Sequence, residues 1–325
     1  MLSRSIAPLE GIHLSNSVDQ SSVRVLAVIV LHKMRPKESA SFRTLRAAIS
    51  GFQDGQADIK ILLYDNTPRG QDPGALPPDV EYKADVENGG LARAYNYALE
   101  IASKERFDWL LTLDQDTSLP IDFLRKLCGA IMVVAPLNNV AAIVPFLSDD
   151  GRVISPFTVT NHWVRTKPFP AGFTGVPLET VYAANSGSAI KVKALKTVGG
   201  YDPGFYLDYS DIVMYHRLHR NNFSTYIAGA IYLGHEISGS DLTARSTPPR
   251  YEGAVCAEGE FYDEYLGRLE RMVLLLKTLC RPAYRIWRMG GSLPYFIISV
   301  RNLCRRLFYS RKKRMENWKQ SVRGC

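Results

Sequence analysis

The sequence predicts an α/β fold, in which a mixed sheet with a Rossmann-like first half is flanked by helices and followed by a basic helical extension. Three apolar runs support this prediction: VRVLAVIV at Val23–Val30, IKILLY at Ile59–Tyr64 and WLLTL at Trp109–Leu113. Continuous runs of this kind suit strands that are buried on both faces. Segments with helical periodicity lie between them, and this order is typical of nucleotide-binding sheets.

The remaining elements are predicted from the same periodicities. Between the first two strands, Phe42, Leu45, Ala48 and Ile49 recur at helical spacing and predict a helix over residues 37–52. Further helices are predicted at residues 91–103, 123–134, 193–198 and 210–220, and further strands at residues 80–83, 140–145 and 226–232.

Length and composition indicate one globular core with an extension. The chain has 325 residues, of which 46% are hydrophobic and 22% are charged, and this composition is typical of folded proteins. We expect a polar N-terminal extension at residues 1–22, a main domain at 23–265 with halves at 23–120 and 121–265, and a basic amphipathic tail at 266–325.

The formal net charge of +8 is concentrated near the end of the chain. Residues 267–325 hold 15 Lys and Arg against 2 Glu, which leaves 25 basic and 30 acidic residues elsewhere. A mildly acidic body argues against a nucleic-acid groove across the whole protein, so we expect no nucleic-acid partner. The basic end predicts contact with an anionic surface, for which a membrane of anionic lipids is the simplest candidate.

The cysteines and the apolar runs exclude several protein classes. The cysteines are Cys128, Cys256, Cys280, Cys304 and Cys325. They are odd in number, widely spaced and without a CxxC pair, so neither a zinc site nor a disulfide framework is predicted. The first 22 residues lack an apolar stretch behind a basic start, and Leu293–Val300 is far shorter than the ~20 residues that cross a bilayer. We therefore expect a cytoplasmic protein, peripheral on the inner face of the plasma membrane.

Two carboxylates separated by one residue, Asp114 and Asp116, follow the third apolar strand. At a strand end, such a pair can place one group near a sugar or ribose and the other on a divalent cation that bridges two phosphates. Mg²⁺ and Mn²⁺ favour oxygen ligands of this kind. The alternative is a solvated turn in which Thr117 or Ser118 caps the next helix. The position directly after an apolar strand favours the metal site.

Four passages occur in a fixed order within Val23–His235, about two thirds of the chain. They are ILLYDNT at Ile61–Thr67, NGGLARAYNYAL at Asn88–Leu99, WLLTLDQDT at Trp109–Thr117 and GGYDPGFYLDYSDIVMYHR at Gly199–Arg217. This ordered set resembles the inverting glycosyltransferases of family 2, and in particular their bacterial rhamnosyltransferase members. The resemblance implies a GT-A fold whose first half binds a nucleotide-sugar and whose second half binds the acceptor.

The resemblance also implies a role for individual residues. Asp116 would be the main ligand of a Mg²⁺ or Mn²⁺ ion, Asp114 would hold the ribose or sugar, and Asp65 would contact the nucleobase. Asp211 would be the catalytic base that accepts the proton of the acceptor hydroxyl. It lies in the first turn of a predicted helix, where the helix dipole favours the ionised carboxylate, and the alternative is a mere helix cap. The residues expected around the nucleotide-sugar are Asn88, Gly90, Arg93 and Asn96.

Further residues complete the expected site. Arg217 follows Asp211 by six residues and would support the base or pair with a phosphate. His235 matches a late histidine of the family near the metal and diphosphate, although a lone histidine can equally be structural. On the acceptor side we expect loops at residues 148–177, and the residues Asn185, Ser186, Gly187 and Asp208.

The sequence departs from the family pattern at two places. Val213 stands where a second acid is often found, so a supporting carboxylate has to come from elsewhere, for example Asp208. The first strand ends in Leu31-His32-Lys33 instead of a Thr-Tyr-Asn trio, which leaves His32 to stack on the nucleobase.

Basic and aromatic residues alternate in a helical pattern from Arg268 to Lys319. This pattern is typical either of a pair of helices on a membrane surface or of nucleic-acid contacts, and a lipid-linked acceptor fits the first. The alternative is that the first helix packs on the core and that only the Arg311–Arg314 run is free.

Together these features predict a rhamnosyltransferase that uses dTDP-rhamnose and extends a bacterial surface polysaccharide, such as the O-antigen of lipopolysaccharide. Its acceptor would be a glycan or a polyprenyl-diphosphate-linked sugar. A sugar nucleotidyltransferase would share the sheet and the metal carboxylates, although no Gly-rich basic loop follows the first strand. A third alternative, suggested by Val213 and Leu31, is a carbohydrate-binding or scaffolding relative without turnover.

Overall fold

The structure is a computed structural model that describes residues 22–52, 57–149, 151–160, 162–163, 165–235, 247–288 and 293–323. The predicted N-terminal extension lies outside the described residues apart from Ser22. Within the described part, a nine-stranded mixed sheet forms the centre of the fold. Its strand order is β3-β2-β1-β4-β10-β6-β11-β5, β7 pairs with β6, and β8 and β9 form a separate two-stranded sheet.

The strands confirm the predicted ones and add several short ones. Their bounds are β1 Val23–Leu31, β2 Ala57–Asp65, β3 Val80–Ala84, β4 Trp109–Asp114, β5 Thr117–Ser118, β6 Val140–Asp149, β7 Arg152–Ser155, β8 Phe157–Thr160, β9 Arg165–Pro168, β10 Ser188–Lys191 and β11 Ser224–His235. Residues 148–177, which were expected to form loops, thus contain three short strands, β7, β8 and β9.

The helices also follow the prediction, with one addition. Their bounds are α1 Ala40–Ser50, α2 Gly90–Lys104, α3 Phe123–Val134, α4 Val192–Thr197, α5 Ser210–Arg220, α6 Pro248–Tyr265, α7 Arg268–Arg288, α8 Leu293–Phe308 and α9 Arg311–Arg323. Helix α6 was not predicted. In the described residues, every helix is too short or too polar to span a membrane.

Strand β1 shows why the apolar runs form the centre of the sheet. Leu26, Val28 and Val30 pack into the cluster that contains α2, α4 and α5. Val25, Ala27 and Ile29 pack into the cluster that contains α1 and α3. Because successive side chains of a strand point to opposite faces, a run without polar residues suits a strand covered by helices on both faces.

The register of the parallel strands brings their carboxyl ends to one edge of the sheet. Leu31 of β1 pairs with Asp65 of β2, and Val30 of β1 pairs with Asp114 of β4. The residues that follow these strands therefore leave the sheet side by side. Ligands of open α/β sheets bind at this edge.

The basic C-terminal helices pack on α6, and many of their charged residues pair with its acids. Helix α8 contacts α6 and α7, and α9 contacts α6. The ion pairs join Lys277 and Arg281 to Glu258, Arg301 and Arg305 to Glu252, Arg306 to Asp263, Arg311 to Glu260 and Glu264, and Arg314 to Glu260 and Asp263. Much of the basic charge of the tail thus meets acids of the same chain.

These contacts correct the alternative in which the Arg311–Arg314 run is free. Arg311 and Arg314 are both paired with acids of α6, whereas Lys312 and Lys313 are exposed. The predicted division after residue 265 falls between α6 and α7 and stays a prediction. Trp318 of α9 packs against Phe205 in an apolar cluster that also includes residues of α5, α6 and α7.

Gly187, directly before β10, lies in a tightly packed part of the fold. Its φ angle is +80°, and a Cβ atom there would lie 2.2 Å from Cδ1 of Leu233 and 2.9 Å from Cγ of Pro145. Gly74 has a similar φ of +73° but no atom within 4 Å of such a Cβ. We expect Gly74→Ala to lower the free energy of unfolding by about 1 kcal/mol through backbone strain alone.

Gly187→Ala adds overpacking to the same strain and should lower the free energy of unfolding by a further 1–3 kcal/mol or so, on the order found for overpacked cores. Urea unfolding of the two variants measures the difference. Equal losses in both variants would contradict the packing described for Gly187.

Candidate active site

One cleft of about 920 Å³ opens at the edge where the parallel strands end. Its lining includes six of the predicted site residues: His32, Asn88, Gly90, Asp114, Asp116 and Asp208. The opposite side of the cleft is formed by helices near the end of the chain, through Thr247–Arg250 and Gly253 of the α6 region, Ile298 and Arg301 of α8, and Trp318 of α9. The C-terminal helices therefore complete the cleft.

The backbone of Asp114-Gln115-Asp116 is fixed by hydroxyl groups at the start of α1. The Ser39 hydroxyl donates to the carbonyl of Gln115 at 2.7 Å, and the Ser41 hydroxyl donates to the carbonyls of Asp114 and Thr117. The Gln115 side chain accepts a hydrogen bond from the backbone N–H of His32 at 2.7 Å. The acidic turn is thus tied to the end of β1, which holds both carboxylates at the cleft.

A glycine brings two loops of the cleft into close contact. Gly90 has a φ angle of +82°, and a Cβ atom there would lie 2.3 Å from the carbonyl oxygen of Tyr206. The N–H of Leu91 donates to that same carbonyl at 2.8 Å, and the Tyr206 hydroxyl donates to the carbonyl of Asn88. The segment that leads to Asp208 and Asp211 is therefore attached to the start of α2.

Three carboxylates interact electrostatically at this edge. Asp114 and Asp208 line the cleft, and the charges of both act on Asp211, which lies in the first turn of α5. Asp114 and Asp211 also act on the same two fully buried tyrosines, Tyr95 and Tyr201. Acids from two separate parts of the chain, the turn after β4 and the start of α5, thus share one neighbourhood.

Burial and like charge raise the pKa of Asp211 to about 7. Burial is the larger cause, the charges of Asp114 and Asp208 add to it, and a hydrogen bond from the N–H of Ile212 acts in the opposite direction. The argument from the helix dipole, which predicted an ionised Asp211, is therefore outweighed. A carboxyl with a pKa near neutrality is well matched to accepting a proton.

Asp208 has a cationic partner across the cleft. Its Oδ1 lies 3.0 Å from a guanidinium nitrogen of Arg250 in α6. Burial raises the pKa of Asp208, and Arg250 partly offsets this rise. Val213, the position of the missing second acid, is buried and packs into the apolar cluster that joins α5 to α6.

Asp65 lies beneath the cleft wall and does not line it. It is fully buried, and its oxygens accept hydrogen bonds from the N–H of Thr67 at 2.9 Å and from the hydroxyl of Tyr82 at 2.6 Å. The next residue, Asn66, does line the cleft. Its Oδ1 is buried and has no hydrogen-bond partner among the described residues.

Three other predicted residues, Arg93, Asn96 and Arg217, make contacts outside the cleft. Arg93 pairs with Asp85 and Glu87 and lines a second concavity of about 1070 Å³, which shares Asn88, Tyr206 and Trp318 with the cleft. The Asn96 side chain binds both backbone groups of Tyr201, at 2.8 Å each. Arg217 donates to the carbonyls of Val198 and Gly200 at the end of α4.

The residues expected on the acceptor side form a layer behind Asp114. Ser186 is buried, accepts from the N–H of Asp114 at 3.1 Å and contacts the Thr117 hydroxyl at 2.7 Å. Asn185 is buried and bonded to the hydroxyls of Ser210 and Tyr201. The backbone of His235 pairs with Thr117, but its side chain lies outside the described residues.

The sequence analysis did not predict that Ser39 and Ser41 bind the acidic turn, or that the C-terminal helices line the cleft. Ser39 carried a usable signal, because it caps α1 by accepting from the N–H of Phe42, as serine does at helix N-termini. Arg250 and Trp318 carried none, because their position depends on how distant helices pack.

The donor set fits a divalent cation shared with a substrate. Among the described residues no group of three His, Cys, Asp or Glu side chains forms a self-sufficient metal site. Mg²⁺ is commonly held by one or two carboxylates together with substrate phosphates, and Asp114 and Asp116 supply carboxylates at the cleft.

Comparison with known proteins identifies the fold. Residues 64–199 match the family model described as Glycosyl transferase family 2. No curated protein matches the chain. The structure is similar to the crystal structure of GalNAc-T7 with UDP, GalNAc and Mn²⁺, with a TM-score of 0.53 and 16% identity, covering 94% of this chain and 58% of that one.

A second similar structure is that of S. aureus TarS 1-349. Its TM-score is 0.52 at 12% identity, and the match covers 91% of this chain and 89% of that one. Identities this low show the fold alone. The predicted GT-A fold is thereby confirmed, and the predicted resemblance to family 2 is confirmed over residues 64–199.

The raised pKa of Asp211 predicts a pH-dependent stability difference. The native carboxyl holds its proton up to about pH 7, whereas in the unfolded chain it loses the proton near its ordinary pKa of 3.8, so stability falls as the pH rises through this window. Asp211→Asn removes the titration. Its free energy of unfolding relative to the unsubstituted protein should therefore increase by about 2–3 kcal/mol between pH 5 and pH 8.

Urea unfolding across this pH range, without divalent cations, measures the effect. Asp72→Asn, on an exposed loop outside the cleft, serves as the control. Parallel pH profiles for the unsubstituted protein and Asp211→Asn would contradict the raised pKa.

Proposed function

We propose that this chain is an inverting glycosyltransferase that passes a sugar from a nucleotide-sugar to an acceptor hydroxyl. The observation that carries the proposal is the cleft at the sheet edge, which Asp114, Asp116 and Asp208 line together and where the charges of Asp114 and Asp208 act on Asp211. The family match over residues 64–199 supports the same reaction class.

Asp116 would be the main ligand of a metal shared with the donor diphosphate, and Asp114 would hold the ribose or sugar. The bound cation would offset the negative charge that grows on the leaving diphosphate. The GalNAc-T7 structure contains UDP and Mn²⁺, which supports a divalent cation here, either Mg²⁺ or Mn²⁺. The Gln115 contact to β1 and the hydroxyls of Ser39 and Ser41 keep the acidic turn in place before the donor binds.

Asp211 would act as the base. An inverting transfer needs one carboxylate to accept the proton of the acceptor hydroxyl while its oxygen attacks the anomeric carbon opposite the diphosphate. Asp208 would assist from the acceptor side, where its ion pair with Arg250 fixes its position.

The nucleobase would be recognised by Asn66 and His32 in place of Asp65. Both oxygens of Asp65 already accept hydrogen bonds inside the protein, whereas Asn66 presents a buried amide oxygen without a partner among the described residues. Leaving such a group unpaired costs about 1–3 kcal/mol, which a base N–H would recover. Asp65 would then support the pocket from behind through Thr67 and Tyr82.

The finer features of the function follow from the sequence resemblance. The donor would be dTDP-rhamnose, and the acceptor a glycan or polyprenyl-diphosphate-linked sugar in the synthesis of a bacterial surface polysaccharide such as O-antigen. Residues 23–265 would form the catalytic domain, in a cytoplasmic protein at the inner face of the plasma membrane.

A donor panel tests the reaction and its metal requirement. We expect nucleoside diphosphate release from one nucleotide-sugar in the presence of Mg²⁺ or Mn²⁺, highest with dTDP-rhamnose, and loss of release with EDTA. Release that persists in EDTA would contradict the metal site. Pyrophosphate release from a nucleoside triphosphate would instead identify a nucleotidyltransferase.

The role of Asp211 has its own prediction. Asp211→Asn should lower kcat by about 100-fold or more, the scale of general base catalysis, while donor affinity measured by calorimetry changes less than about threefold. Asp79→Asn, an exposed carboxylate outside the cleft, serves as the control. Full activity of Asp211→Asn would exclude it as the base.

A further inference from the structure

Helices α7 and α8 carry many of their large apolar residues on the outside. The exposed side chains of α7 include Leu269, Met272, Leu276 and Leu279, which are 51–62% exposed and lie at helical spacing on one side. Those of α8 include Leu293, Phe296, Ile297, Val300, Leu307 and Phe308, the last of which is 78% exposed. The two helices pack against each other, and the exposed apolar side chains of both are called here the outer apolar face.

Several polar residues of the same helices pair with acids of α6 or are buried. Lys277 and Arg281 of α7 pair with Glu258, and Arg301 and Arg305 of α8 pair with Glu252. Thr278, Ser299 and Asn302 are buried as well. In a helix that faces water the polarity is the reverse, with apolar residues towards the core and charges outside.

We propose that the outer apolar face docks on a phospholipid bilayer and enters its interfacial layer. Contiguous apolar surfaces of this kind mark interaction sites in soluble proteins, and an amphipathic helix that lies in a membrane interface buries its apolar side in the acyl boundary. The helices are too short or too polar to cross the bilayer, which fits a protein lying on one surface.

Charge at the border of this face complements lipid phosphates. Arg268 is exposed next to Leu269 at the start of α7, and Lys312 and Lys313 are exposed shortly after Phe308. The Lys313 ammonium lies 4.4 Å from the centre of the Tyr309 ring. Aromatic rings and long basic side chains are suited to the headgroup layer, where one end is apolar and the other is wet.

This inference deepens the proposed function, on whose lipid-linked acceptor its purpose rests. Helix α8 contributes both to the outer apolar face and, through Ile298 and Arg301, to the lining of the cleft. Docking by α8 would therefore bring the cleft close to the membrane surface, where an acceptor carried by a lipid is found. The contact depends on apolar burial, whereas the sequence predicted attraction of the basic tail to anionic lipids.

Vesicle co-sedimentation of the full chain separates the two modes. We expect binding to phosphatidylcholine vesicles, which carry no net charge, and less than about threefold weakening between 0.1 and 0.5 M NaCl, because apolar burial is not screened by salt. The double variant Leu276→Glu/Phe308→Glu should bind about tenfold more weakly or worse. Leu178→Glu, at an exposed leucine outside this face, should bind as the unsubstituted protein does.

A second measurement, the fluorescence of an attached dye, leaves the leucine and phenylalanine residues of the outer apolar face unsubstituted. Cys280 and Cys304 are exposed on α7 and α8, and an environment-sensitive dye attached to them in a Cys325→Ser background should shift to the blue when vesicles are added. The absence of a shift would overturn the proposal. Full vesicle binding by the Leu276→Glu/Phe308→Glu variant would also overturn it. The same holds if sedimentation velocity shows that the unsubstituted protein is a dimer, and the two substitutions convert it into a monomer without changing vesicle binding. These readouts need no sugar transfer, so inactivity on every donor would count against the proposed function alone.

Discussion

The parallel register of β1 against β2 and β4 is the constraint on which the candidate site depends. Leu31 pairs with Asp65 and Val30 pairs with Asp114, so three strands end side by side. Because β1 is buried on both faces between helical layers, a slip of one residue would turn its side chains to the wrong faces. The polar residues that follow these strands therefore converge on one cleft.

Negative charge gathered at that edge has to be offset, and α6 supplies part of the compensation. Near its start, Arg250 pairs with Asp208 at the cleft. Further along, its acidic residues hold the basic tail, and breaking such a pair would leave a buried acid such as Glu260 uncompensated. Because the charges of α7 and α8 are used in this way, their apolar residues remain outside. Helix α6 thus contributes both to the wall of the cleft and to the packing of the helices that carry the outer apolar face.

The sequence allowed the sheet and the acidic turn to be predicted, because both depend on local patterns. Unbroken apolar runs defined β1, β2 and β4, and the acids after β4 line the cleft as expected. Residues whose surroundings are set by distant packing were harder to place. Arg217 donates to carbonyls at the end of α4. Asp65 is buried, and the next residue, Asn66, lines the cleft instead. The basic tail was predicted to meet an anionic membrane surface, and this stays a prediction. No local pattern showed that acids of α6 pair with much of its charge.

The central claim is that the acidic turn after β4 holds one cation and one diphosphate at the cleft, opposite the carboxylate of Asp211. Anomalous diffraction from crystals grown with Mn²⁺ and the nucleoside diphosphate of the preferred donor tests it most directly. The account predicts one manganese peak bonded to Asp116 and to two phosphate oxygens, with the nucleobase at Asn66 and the open side of the diphosphate facing Asp211. Manganese bound away from this cleft, or a nucleotide seated in the concavity beside Arg93, would contradict it.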